Sequence, residues 1–357
     1  MLRLLAVTLM VPLTWAASRD TVIFDTDSGL FGDDGAALVM LLRSPTQVAV
    51  QAITVVPGNV WSAQGAEYIF QILGLSKHAQ IPVLMGAAGP LVNSSAMAKE
   101  AERRWGAISY LGAFAMDPAS VVPPPGLKLS GRKARRDAVG YLISEIERRP
   151  NEITILALGP MTNIALALRM RPDIETKIKR IVFMGGNVSV PGNTTQAAEF
   201  NFWFDPEAAR IVLRSRIPKK VMFSLDICNQ APIHKSEFDQ VAAARTPIAA
   251  LYREDLGNRY PAFYKNPNAT AYMWDSLAAA YLIDPDFVTR YETRYLDVRS
   301  DWGPVYGSTV PLDRRAVPDA TPVTAMLGLD FRRVFSLYRE RLTRSETADA
   351  NRGSTEH

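Results

Sequence analysis

A single cysteine, Cys228, and three histidines, His78, His234 and His357, are all that 357 residues offer of the side chains that most often bind zinc or drive hydrolytic triads. One thiol can form neither an intramolecular disulfide nor a multi-thiolate metal site, and three scattered imidazoles leave a zinc hydrolase almost nothing to draw on. Charge of one sign is also scarce. The 40 Lys and Arg exceed the 36 Asp and Glu by only four, too thin an excess for a nucleic-acid footprint, and no long basic run occurs. No nucleic-acid partner is expected. Beyond the first 20 residues no apolar run approaches the roughly 20 residues that span a bilayer, so stable membrane insertion is not expected either. What is plentiful is core-forming material: 48% hydrophobic and 21% charged residues, the composition of a soluble globular protein.

The chain begins MLRLLAVTLMVPLTWAASRD, with Arg3, then an apolar run, then the small residues Ala16, Ala17 and Ser18. That order reads as a secretory signal peptide over residues 1–18, and the mature protein is expected to be exported, to a periplasm or to the medium. After it, short Val- and Ile-rich runs alternate with amphipathic segments. This is the pattern of an α/β fold, an open, mostly parallel Rossmann-like sheet flanked by helices. Strands are expected at 21–25, 48–56, 81–85, 153–158, 180–184 and 220–225, and helices at 34–42, 63–73, 136–148, 162–170 and 206–215. Residues 91–135, with Pro123, Pro124 and Pro125 in a row, are expected to form an irregular insertion. One domain over 19–343, helical toward its C-terminus, and a polar, disordered tail over 344–357 complete the expected organisation.

The strongest chemical signal ends the first strand, in VIFDTDSGLFGDDGAALVMLL. Strand alternation puts Asp25 and Asp27 on one side, and a short glycine-containing turn brings Asp33 and Asp34 to the mouth of a helix. Four carboxylates in a partly dry crevice repel one another unless a cation or proton intervenes, and an all-oxygen cluster suits a hard ion such as Ca²⁺ or Mg²⁺. Open α/β sheets bind ligands at the carboxyl ends of their strands, which is where these residues fall.

These residues resemble the N-terminal signature of the inosine-uridine preferring nucleoside hydrolase family, an Asp-x-Asp, a glycine-containing turn and an Asp-Asp pair. The likeness continues in order through ITVVPGNV, IPVLMGAAGPL, ITILALGPMTNIALAL, IVFMGGNVSVPGN, AAEFNFWFDPEAARIV and MWDSLAAAYLIDPD, over roughly residues 20–286. The resemblance implies a calcium-dependent enzyme that hydrolyses the N-glycosidic bond of ribonucleosides to ribose and free base, with homo-oligomers common. By the same resemblance, Asp27 and Asp34 are calcium ligands together with the main-chain carbonyl of Leu158 and the distant Asp275. Asp27 also activates the metal-bound water, so no histidine base is needed. The ribose is expected to meet Asp33, Asn59, Met184, Asn193, Glu199 and Asn201.

One position departs from the pattern. Many members carry a His immediately before the last metal-binding Asp, and here Trp274 stands there. Indole can stack and donate a hydrogen bond but cannot act as a general acid near neutral pH. Trp274 is therefore expected to line the base side of the pocket; the nearby Tyr252, Tyr260, Tyr264, Tyr272 and Arg253 could stack on or donate to the base but read as mostly structural, and His234 is expected at the surface or in a loop. Asn193 also heads an Asn-Thr-Thr sequon, as Asn93, Asn187 and Asn268 head theirs, and a pocket position would leave that sequon unused. Two other readings remain open on the residues: a calcium-dependent nucleoside or ribose binding protein without catalysis, and a haloacid-dehalogenase-type phosphatase, which also starts from an Asp-x-Asp.

Overall fold

The computed structural model describes residues 19–259, 261, 268 and 270–345. The expected leader and all but the first two residues of the expected tail lie outside the described residues, as do Tyr260 and Tyr264. Ten strands form the central sheet. They are β1 (Asp20–Thr26), β2 (Val48–Val55), β3 (Val83–Met85), β4 (Arg135–Arg136), β5 (Ile153–Ala157), β6 (Arg180–Met184), β7 (Lys220–Phe223), β10 (Val288–Val298), β11 (Thr309–Pro311) and β12 (Pro322–Leu329). Their order is β11-β10-β12-β7-β6-β5-β1-β2-β3-β4, parallel from β12 to β4. A separate antiparallel pair joins β8 (Pro232–Ile233) to β9 (Ala271–Tyr272). The central strands β1, β5 and β6 are buried almost throughout because helices cover both faces, which is why residues 22–24, 155–157 and 181–184 are apolar without alternation.

Two helices have no solvent face to spare. In Asp34–Leu42, DGAALVMLL, every residue is buried, and in Trp274–Ile283 only Trp274 and Tyr281 are not. A helix that is apolar all round must lie inside the protein, and these two pack directly on each other. The expected parallel sheet, its six strands and its five helices are all present, with ends shifted by a few residues at most.

Two expectations need correction. Within 91–135 the chain forms a regular helix, Ser95–Trp105, where an irregular insertion was expected. Ser94 caps it by accepting a hydrogen bond from the Met97 amide at 3.2 Å, and Glu100 pairs with Arg103 and Arg104 one turn on. The C-terminal part is likewise not purely helical. β10 and β11 extend the sheet antiparallel to β12 before the last helix, Phe331–Thr343; β10 is largely exposed in its first half and buried only over its last three residues, Leu296, Asp297 and Val298.

Candidate active site

The chain leaves β1 for β2 on one side and later returns to β5 on the other, so the strand order reverses between the carboxyl ends of β1 and β5. A crevice opens at such a reversal. Asp27 follows β1 there, and Leu158 follows β5. Two glycines let neighbouring loops close on Asp27. A Cβ on Gly58 would sit 2.0 Å from Asp27 Oδ2, and one on Gly159 would sit 2.8 Å from Asp27 Cβ, so neither position admits a side chain.

Asn59 is the hub of the cluster. Its amide donates to Asp27 Oδ2 at 2.7 Å, while its Nδ2 lies 3.3 Å from Asp27 Oδ1, 3.3 Å from Asp33 Oδ1 and 3.2 Å from Asp34 Oδ2. Three carboxylates thus share one neutral side chain. Asp34 opens the helix Asp34–Leu42 and also accepts from the Thr26 hydroxyl, while Asp33 caps the same helix through the Asp34 amide at 2.9 Å. Asp275 comes from the first turn of Trp274–Ile283. Packing of the two buried helices delivers it to the others: ligand atoms of Asp33, Asp34 and Asp275 lie within 4.8 Å of one another.

The electrostatics of this group are those of a site built around a cation. Asp275 is 1% exposed, and neither of its carboxylate oxygens has a hydrogen-bond partner. A buried, unpartnered carboxylate is costly unless something positive satisfies it. Burial, then the charges of Asp33, Asp34 and Asp27, push Asp275 well above the ordinary carboxylate range. Burial and the Asp33 charge do the same to Asp27, and burial followed by the Asp27 charge brings Asp34 to about 6. Several carboxylate oxygens with no nitrogen or sulfur donor among them fit a hard, oxygen-binding metal ion. Both helices also aim their N-termini at the cluster, which favours negative charge there but by too little to offset it.

Beside the carboxylates lies a cavity of about 420 Å³ bounded by Asp33, Asn59, Leu158, Met184, Asn193, Glu199, Asn201 and, on its aromatic side, Tyr110, Phe200 and Trp274. Asn201 ties two strand ends together, donating from Nδ2 to the Leu158 carbonyl at 2.9 Å and the Met184 carbonyl at 3.1 Å. Asn193 Oδ1 accepts from the Phe200 amide at 2.9 Å. Glu199 is buried and accepts from the amides of Gly186, Asn201 and Phe202.

The sequence profile of the inosine-uridine preferring nucleoside hydrolase family matches residues 22–336. The chain belongs to that family. Among characterised proteins, the pyrimidine-specific ribonucleoside hydrolase RihA of Salmonella gallinarum is 34% identical over 324 residues, 90% of this chain and 97% of its own length. Among solved structures, the plant nucleoside hydrolase PpNRh1 has 27% identity and a TM-score of 0.73, covering 91% of this chain and 99% of the other. The purine-preferring ribonucleoside hydrolase from Gardnerella vaginalis has 26% identity and a TM-score of 0.74, with 91% and 98% covered. The mostly parallel sheet flanked by helices is thus a nucleoside hydrolase fold, and the enzyme class is that of ribonucleoside N-glycosidases.

In this nucleoside hydrolase the structure gathers every residue to which the sequence reading assigned a metal-binding, catalytic or substrate-contacting role. Asp27, Asp33, Asp34, Asp275 and Asn59 form the acidic cluster, and Leu158, Met184, Asn193, Glu199, Asn201 and Trp274 bound the cavity. Asp33 serves both groups. Asp25 does not join them. It is fully buried behind the site, accepting from Thr54 at 2.5 Å and Asn163 at 2.8 Å, and burial lifts it to about 7 despite those bonds. Tyr252 is a core residue stacked on Phe238, Arg253 donates to the Ala242 carbonyl, and His234 is exposed beside Thr270, so none of the three lines the cavity. Among the described residues of that group, only Tyr272 approaches it, 5.7 Å from the Trp274 ring. Sequence reading missed Tyr110 and Phe200. Tyr110 donates to Asn59 Oδ1 at 3.0 Å and meets Phe200 edge-on at 4.8 Å. Its loop is held there by Ala113, whose amide donates to the Gly58 carbonyl at 2.7 Å.

Proposed function

We propose that the mature protein is an exported, calcium-dependent ribonucleoside hydrolase in which Asp27 removes the proton of the attacking water. The two buried, unpartnered oxygens of Asp275 beside Asp33 and Asp34 carry this reading. Asp27, Asp34, Asp275 and the Leu158 carbonyl would hold the ion, with Asp33 within reach. When bound, calcium supplies a hard positive charge that offsets the carboxylates and lowers the pKa of water.

The chain's own residues supply the rest. Asn59 fixes one oxygen of Asp27 through its amide, so the carboxylate has a set orientation toward the cavity. Burial makes Asp27 a stronger proton acceptor than an ordinary aspartate. Asp33, Asn59, Asn193, Glu199 and Asn201 ring the sugar's expected position with the donors and acceptors its hydroxyls need in place of water. The acidic cluster also favours positive charge on the ribosyl ring as the glycosidic bond opens. On the base side no imidazole lines the cavity among the described residues. Trp274, Tyr110 and Phe200 offer ring faces and the Tyr110 hydroxyl instead, so the departing base is held by stacking and hydrogen bonding.

The test is release of reducing sugar from a panel of purine and pyrimidine ribonucleosides, with calcium or with a chelator. Chelator-sensitive release is expected, with 2′-deoxyribonucleosides turned over more slowly. Tight nucleoside binding without turnover would instead mark a binding protein; membership of the family leaves the phosphatase alternative without support. N-terminal sequencing of the secreted product, with cleavage expected between Ala16 and Ser18, tests export.

A further inference from the structure

A second cavity, of about 400 Å³, lies on the other side of the loop that carries Asn193. Asn193 faces the catalytic cavity, and the next residue, Thr194, bounds this one. Trp105, at the end of the helix Ser95–Trp105, and Trp302, in the turn before β11, form its aromatic wall. Ser109 and Gln196 supply neutral hydroxyl and amide groups, while the Asn93 side chain is already bonded to the Trp203 carbonyl and the Ser94 amide. No Asp, Glu, Lys, Arg or His bounds it among the described residues. Its size falls within the range of small-molecule sites.

Two observations say what it would take. Thr194 is fully buried, yet its hydroxyl has no hydrogen-bond partner. A buried hydroxyl left unsatisfied calls for a polar ligand atom or water. The tryptophans are also unusually open for their size, at 41% and 37% exposure. Their ring centroids stand 4.7 Å apart at 56°, so the rings already touch and leave no slot for a flat base to enter. They present tilted faces to something with an apolar side and polar edges. Arg104 lies over Trp302 at 5.2 Å and is paired with Glu100, which leaves little charge to attract an anion.

We propose that this cavity is a second binding site, for a neutral monosaccharide, set back to back with the catalytic cavity across the 193–196 loop. The C–H face of a sugar ring packs on indole, while its hydroxyls meet Ser109, Thr194 and Gln196. Ribose, the sugar the proposed reaction releases, is the natural first probe; only that choice of probe rests on the functional reading. Sugar held here would bear on Asn193 through the main chain, since the Ser109 amide donates to the Thr194 carbonyl at 2.9 Å.

The test uses the full mature chain, treated with chelator so that the metal-dependent site is disabled. Tryptophan emission and calorimetry follow titration with D-ribose and D-glucose, and with uracil and hypoxanthine as flat controls. Saturable sugar binding is expected, weakened about tenfold in Trp302→Ala, the order of one lost aromatic contact. Trp105→Ala should act likewise. Both side chains are partly solvent-exposed, and nucleoside hydrolysis by the calcium-loaded Trp302→Ala protein is expected to persist, which shows that the variant folds. Thr194→Val should weaken the sugar several-fold. Absence of sugar binding, equal affinity in wild type and Trp302→Ala, or preferential binding of the flat bases would each overturn the proposal. Failure of the functional reading would appear separately, as absence of hydrolysis in the calcium-loaded wild type.

Discussion

Removing calcium should make the protein less stable, and more so as the pH rises. Asp34 illustrates the size of the effect. Its ordinary carboxyl value is 3.8, and in the metal-free fold burial and the Asp27 charge raise it to about 6. An acid whose folded value is raised opposes folding when ionised. Below 3.8 both states are protonated and nothing is lost; as the pH climbs, the unfolded chain ionises first, and the penalty grows until the folded group ionises too. A shift of about 2 units corresponds to about 3 kcal/mol, of which about 2 kcal/mol develops between about pH 4.5 and about pH 8. For a chain of this length about 1 kcal/mol moves Tm by roughly 1.5 °C, so Asp34 alone gives about 3 °C. Asp27 and Asp275, raised for the same reasons, add in the same direction. Calcium requires the ionised forms and offsets their repulsion, so its stabilising effect is linked to proton release. The assay is thermal unfolding with calcium and with chelator across that pH range. The gain in Tm on adding calcium should widen with pH by at least about 3 °C. A gain that stays flat or narrows would mean that these carboxylates do not share a cation. Changes common to both samples, such as titration of Asp25, cancel in the difference.

Asp27→Asn should leave nucleoside binding within a few-fold of wild type but lower turnover by about 10³-fold or more, measured as kcat on the best substrate of the panel. Gly58→Ala places a Cβ 2.0 Å from Asp27 Oδ2; the carboxylate must move, and activity should drop by at least about 10²-fold while calcium still raises Tm. Asp275→Asn should abolish the calcium-dependent rise in Tm and make the chelated protein more stable than wild type near pH 8, because one of the repelling charges is gone. Trp274→Ala should change the relative rates among bases more than the rate on any one base suggests, read as ratios of kcat/KM across the panel; equal losses on all bases would place Trp274 outside the base contact.

The sequence revealed most where one physical signal dominated. Continuous apolar runs marked β1, β5 and β6 because strands covered on both faces have no polar alternation to confuse with a loop. The carboxylates were legible because four of them within ten residues need a compensating charge, and only the resemblance joined Asp275 to them. The helix Ser95–Trp105 carried its own signals, the Ser94 cap and the Glu100 pairs, but the three prolines downstream coloured the whole stretch as irregular. β10 was missed because a half-exposed strand with many charges has no continuous apolar run. Asp25 shows the limit of periodicity: alternation put it on the same side as Asp27, but one strand repeat deeper it meets Thr54 and Asn163 instead of the cavity. Tyr110 and Phe200 had no signal, since nothing local says that a loop will fold back onto Asn59.

The two helices that deliver Asp34 and Asp275 also tie the site to the completeness of the polypeptide. A ribosome makes position 34 long before position 275, and until the second helix docks, Asp27, Asp33 and Asp34 face one another without their fourth member. An unfinished or C-terminally truncated chain would therefore carry three of the carboxylates without the fourth that completes the proposed cation site, and without the buried helix that covers them. Such fragments should be prone to unfolding and proteolysis, so that the surviving population consists of molecules able to capture the ion.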